Sequence, residues 1–167
     1  MTSTPWQLSD PVFRNAIQEV VDPLGRRCAL AGTAGVQVYL AASVGLDKIG
    51  PPAHAIEVVT FGGALVPGRV GKVPVEVVDA LGFEASIAAG VSLIAVGDEQ
   101  FPVASPEHIL GMRLATPDLP PDAKWACFVL MRTYQGRLDL EEARGFLKRC
   151  ASVDRQALLA ELAYLAA

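Results

Sequence analysis

At 167 residues, half of them hydrophobic, the chain is long enough to bury a core as one domain without crosslinks. A net charge of -4 excludes general nucleic-acid binding through a basic surface. The three cysteines (Cys28, Cys127 and Cys150) have no metal-type spacing and predict reduced thiols in a cytoplasmic protein.

Residues 1–8 show no regular period and are expected to fray. They carry no basic run followed by an apolar core, so no secretory signal is expected. Asp10 and Pro11 predict a helix start, with Phe13, Ala16, Ile17, Val20 and Val21 on one face. Asp22-Pro23-Leu24-Gly25 ends it. Cys28–Ala31 reads as a short apolar strand that breaks at Gly32-Thr33 into a helix through Ala42, with Val36, Leu40 and Val44 as the inner stripe. From Cys28 to Leu46 there is no charged residue, about the length of a membrane span. Its glycines and small side chains predict strand, turn and helix instead, and no membrane.

A loop over 45–53 leads to an extended run, His54 to Thr60, followed by a turn at Gly62-Gly63. Val73 to Asp79 is a second β-branched run, with Pro74 placing it at an edge or at a strand start. Val91–Val96 and Phe101–Ala104 flank Gly97-Asp98-Glu99-Gln100 and predict a hairpin. Ser105 caps a helix that turns Ile109, Leu110 and Leu114 inward and stops near Pro117. Three more helices follow. Ala123–Tyr134 has Trp125, Phe128, Val129 and Met131 as its apolar bulk. Leu140, Ala143, Phe146, Leu147 and Cys150 mark the next, and Ser152 caps the last, with Leu158, Leu159, Leu162 and Leu165. This order predicts an α+β fold: a mixed β-sheet, flanking helices and a C-terminal helical tail. One domain is expected over 1–167, with the sheet core in 27–104 and a mainly helical 105–167.

The candidate site lies where the first strand meets its helix. A glycine there lets backbone approach a phosphate closely, and the free N–H groups of the first helical turn point outward. An acid on the neighbouring strand, Glu57, stands where a metal for that phosphate would be held. His54 and His108 have no neighbours at ligand spacing, which predicts surface or hydrogen-bonded roles.

Ala31-Gly32-Thr33-Ala34, with a strand before and a helix after, resembles the Gly-Gly/Ser motif of the DNA polymerase β-like nucleotidyltransferase superfamily. It is most similar to the AbiEii-type toxins, whose motif reads Gly-Gly-Thr-Ala. Ala31 stands in place of the first glycine. The stretch Pro51 to Glu57 matches that family's Asp-x-Asp strand, but Glu57 is its only acid and Ala55 replaces the other. The family's Arg and Ser/Thr are missing there, and the preceding loop is longer. Val75-Glu76-Val77-Val78-Asp79 resembles the strand of the third acid. Alternation along a strand puts Glu76 and Asp79 on opposite faces, and motif position favours Glu76. Val103 to Leu114 is similar to the Ser-Pro-Glu-x-Leu-x-x-x-Lys helix, with Arg113 in place of lysine, and Gly136 to Ala143 resembles the Lys-Asp-x-x-Asp segment.

This resemblance implies that Gly32, Thr33 and Arg113 bind a nucleotide, and that Glu57 and Glu76 are catalytic and hold magnesium in an active member. With Ala55 in place of an acid, the expectation is a catalytically degenerate protein that binds a nucleotide or a partner protein through the cleft. The alternative is an active, metal-dependent transferase that moves a nucleotide from a nucleoside triphosphate to a hydroxyl acceptor. The resemblance also implies a toxin–antitoxin or defence setting.

Overall fold

Asp10 accepts a hydrogen bond from the Val12 N–H at 2.8 Å, and Pro11 sits in the first turn, so α1 (Pro11–Val21) begins with its orphan donors met. The expected face, Phe13, Ala16, Ile17, Val20 and Val21, is buried. The computed structural model describes residues 5–48, 50–150 and 153–167. Residues 5–8 do not fray as expected; residues 1–4 of that segment lie outside the described residues. Trp6 and Leu8 are buried, and Trp6 pairs with Ala53 in an antiparallel bridge. Its ring stacks on Phe13 with centroids 6.0 Å apart. Burial of a large aromatic surface orders a segment that has no local period of its own.

After a turn of 3-10 helix the chain runs β1 (Cys28–Leu30), α2 (Gly32–Val44), β2 (Ile56–Thr60), β3 (Arg69–Val70) and β4 (Val73–Val77). Then come α3 (Glu84–Ala89), β5 (Ser92–Val96), β6 (Glu99–Val103), α4 (Pro106–Ala115), α5 (Pro121–Thr133), α6 (Leu140–Cys150) and α7 (Val153–Ala166). Among the described residues the strands form one sheet in the order β3-β4-β2-β1-β6-β5. β1 runs antiparallel to β2 and parallel to β6, while β2 runs parallel to β4. The outer pairs, β3 with β4 and β5 with β6, are antiparallel. The fold is therefore α+β, with a mixed sheet, flanking helices and a helical C-terminal tail. No described helix is long and apolar enough to cross a membrane.

β1 is central and wholly buried, as a continuous run of small apolar residues requires. Burial pushes the Cys28 thiol up to about 11, which keeps it protonated and unreactive. α2 departs from the expected single stripe. All its residues from Gly32 to Tyr39 are buried, whereas Val44, expected inside, is 49% exposed. The helix packs against the sheet on one side and α4 and α5 on the other, and only its last turns emerge.

Several expected boundaries shift. β2 begins at Ile56, not His54, and β4 ends at Val77, not Asp79. Pro74 marks a strand start rather than an edge, because the unexpected β3 pairs outside it. The hairpin turn is two residues, Gly97-Asp98, and Glu99 and Gln100 belong to β6. Gly97 has φ +61° and Asp98 does not share the positive sign, the pattern of a type II′ turn. α3 was not anticipated; six residues are too few to show a helical period. Ser105 caps α4 as expected, accepting from the His108 N–H at 3.1 Å. Trp125 and Leu165, counted among the apolar residues of their helices, are 44% and 56% exposed, while α5 buries Ala123, Ala126, Cys127, Leu130 and Met131. The Ser152 cap lies outside the described residues.

Candidate functional site

β1 ends by handing the chain to α2 through Gly32, whose φ of +54° suits a residue without a side chain. Next to β1 lies β2, so Glu57, near its start, is carried to the N-terminus of α2. Glu57 Oε1 accepts from the Thr33 N–H at 2.9 Å and the Ala34 N–H at 3.4 Å. A Cβ on Gly32 would stand 1.8 Å from Glu57 Oε2. The glycine therefore meets two demands at once, a left-handed backbone and room for a carboxylate. The free donors that the sequence assigns to a phosphate are held here by the protein's own acid.

Burial and ionisation compete at Glu57. Desolvation raises its carboxyl to about 7, against the lowering effects of Arg113 and of the Ala34 and Thr33 N–H groups, and Glu76 raises it further. Glu76 is the register partner of Glu57 across the parallel β2–β4 pair, so both acids rise from one sheet position. Arg113 comes from the last turn of α4, and its Nε is buried with no hydrogen-bond partner.

Two cavities share Glu57, Glu76 and Arg113. One, of about 430 Å³, adds Gly32, Asp79 and Leu81. The other, of about 250 Å³, adds Thr33, His54, Ala55 and Asp122. All five residues singled out from the sequence (Gly32, Thr33, Glu57, Glu76 and Arg113) thus meet in one cleft. Ala55, 4% exposed, lines it as well.

Two features of the cleft escaped the sequence. Alternation allowed only one of Glu76 and Asp79 to join Glu57, and motif position favoured Glu76, but β4 stops at Val77, so the period of two no longer applies. Asp79 instead accepts from the Leu81 N–H at 2.8 Å in a local turn, with Leu81 at φ +54°. An Asp two residues before such a turn is a recognisable signal. The other is His54, whose Nε2 lies 3.2 Å from Asp122 Oδ2 at the cleft mouth. Behind the site, burial pushes the Cys127 thiol up to about 12. His108, which lines neither cavity, is buried between Ser105 and Ser86, with Nδ1 and Nε2 at 2.8 and 3.2 Å.

Glu57 points at the α2 N–H groups, Ala55 offers no oxygen, and among the described residues no three His, Cys, Asp or Glu side chains stand close enough to hold a metal. The arrangement can accept an anion at the α2 turn if Glu57 yields, with Arg113 as a neighbouring cation. No family model matches the sequence, and no curated protein matches it.

Proposed function

We propose that the chain is a nucleotidyltransferase-fold protein without efficient transfer chemistry, which binds a nucleotide through this cleft. The observation that carries the reading is the convergence of the Gly32–Thr33 turn, Glu57, Glu76 and Arg113 on one cleft of two cavities that share Glu57, Glu76 and Arg113, with Ala55 in the place of a second acid. A phosphate at the α2 turn would take the Thr33 and Ala34 N–H groups from Glu57 and lie within reach of Arg113's charge. With Ala55 in place of one acid and Glu57 engaged by the α2 N–H groups, no transfer step is assigned to Glu57 and Glu76.

Calorimetry with a nucleoside triphosphate, with and without magnesium, tests this reading. Weak binding with little metal dependence is expected. Glu57→Gln should tighten it by about tenfold, ~1.4 kcal/mol, because a neutral amide is a weaker acceptor of the α2 donors and does not repel the phosphate. Strictly magnesium-dependent binding that Glu57→Gln abolishes would instead favour an active transferase. Absence of binding to any nucleotide at millimolar levels would leave the cleft to a partner protein.

A further inference from the structure

The two edges of the sheet are built differently. β3 is two residues long, carries Arg69 and lies between Gly68 and Gly71, features that discourage a further strand from adding. β5 has none of these protections. It runs Ser92-Leu93-Ile94-Ala95-Val96 without a charge, a proline or a bulge, its register with β6 unbroken from Ser92↔Val103 to Val96↔Glu99. Leu93 is 66% exposed, and Ser92 and Ala95 are also exposed.

The direction of the free backbone groups follows from the turn. Val96 and Glu99 flank a two-residue loop and so form a hydrogen-bonded pair. Alternation along the ladder then points Ile94 and Ser92 toward β6, and the N–H and C=O groups of Leu93 and Ala95 outward. Among the described residues neither Leu93 nor Ala95 makes a backbone hydrogen bond beyond the sheet.

We propose that this edge pairs with β5 of a second copy, antiparallel, about a two-fold axis at Ile94. In that register Leu93 faces Ala95 of the second copy, and each such pair exchanges both backbone hydrogen bonds. A large exposed side chain then lies over a small one on the same sheet face. Ser92 faces Val96 of the second copy, and beyond the strand Asp98 faces Gly90, so no like charges meet. That matters for a chain of net charge -4, whose copies otherwise repel. An uncharged strand offers a foreign segment no charge to read, whereas it complements itself.

Sedimentation equilibrium of the full chain decides the matter. The wild type should approach twice its 17.6 kDa mass at micromolar concentrations. Ala95→Pro removes an outward N–H and leaves the β5–β6 ladder whole, and Leu93→Lys places a charge on the seam. Each should weaken the dimer at least about tenfold, while Leu65→Lys, at another exposed apolar position, should leave it unchanged. Far-ultraviolet circular dichroism checks that the variants fold; if Ala95→Pro does not, Leu93→Lys decides alone. A wild type that stays monomeric at high micromolar concentration overturns the proposal. So does a dimer that resists the folded variants, since its contact must then lie elsewhere.

Discussion

Gly32 and Glu57 are a coupled pair. The glycine's φ of +54° penalises any side chain, and the Glu57 carboxylate fills the space a Cβ would need. Gly32→Ala should therefore cost more than about 2 kcal/mol, the backbone strain plus a displaced acid. Glu57→Ala opens the space, so the double variant should be less destabilised than the sum of the singles. Urea denaturation of the four proteins measures that coupling. Glu57 also makes stability depend on pH, and the sign is set by its raised pKa. Below an ordinary carboxyl value of 4.5 the group is neutral in both states, and the stabilisation is complete. As pH rises to about 7 the unfolded chain ionises first, so stability falls and then levels off. Wild-type stability should fall by about 2 kcal/mol more than that of Glu57→Gln over this window; parallel pH profiles of the two would remove the assignment. The sequence made Gly32, Glu57 and Arg113 legible as a set through motif order. It held no sign that the acid would lie on the first N–H groups of α2, because a hydrogen bond between residues 24 apart depends on how β2 pairs with β1.

Among the helices, glycine marks a close contact in one place and nothing in another. At Gly111 in α4 an added Cβ would stand 2.9 Å from Phe146 Cδ1 and 3.2 Å from its Cβ on α6. The Phe146 ring is backed by Phe83, with centroids 4.6 Å apart, and has little freedom to swing away. Gly111→Ala should lose about 1–2 kcal/mol in spite of alanine's better helix propensity. Gly145 in α6 faces open space, so Gly145→Ala should gain about 1 kcal/mol from propensity alone. Thermal melts of the two variants should move in opposite directions; a stabilised Gly111→Ala would mean α4 and α6 can separate freely. Strong local signals fixed the element starts, as at Asp10-Pro11 and Ser105-Pro106, where caps act within one turn. Short elements without a period, β3 and α3, gave no such signal. The buried face of α2 was misread for another reason: a helix with neighbours on several sides has no single inner stripe.

Across the whole molecule, Trp6 fastens the start of the described chain to the loop that precedes the cleft. It exchanges backbone hydrogen bonds with Ala53 at 2.7 and 3.0 Å, and Gln37 Nε2 donates to both the Trp6 and Pro51 carbonyls at 2.9 Å. Trp6→Ala should cost about 3 kcal/mol and speed hydrogen exchange at the Ala53 amide, two sites distant in sequence failing together. A change below ~1 kcal/mol would show that the segment contributes little. The sequence by itself determined the α+β composition, the strand–glycine–helix unit and the residue types of the cleft, because periodicity, caps and a turn glycine act over a few neighbours. Only the tertiary structure decided the strand order, the entry of Asp79 and His54 into the cleft, and the hold of Glu57 on the α2 turn. Those follow from which strands become neighbours, and long-range burial settles that choice.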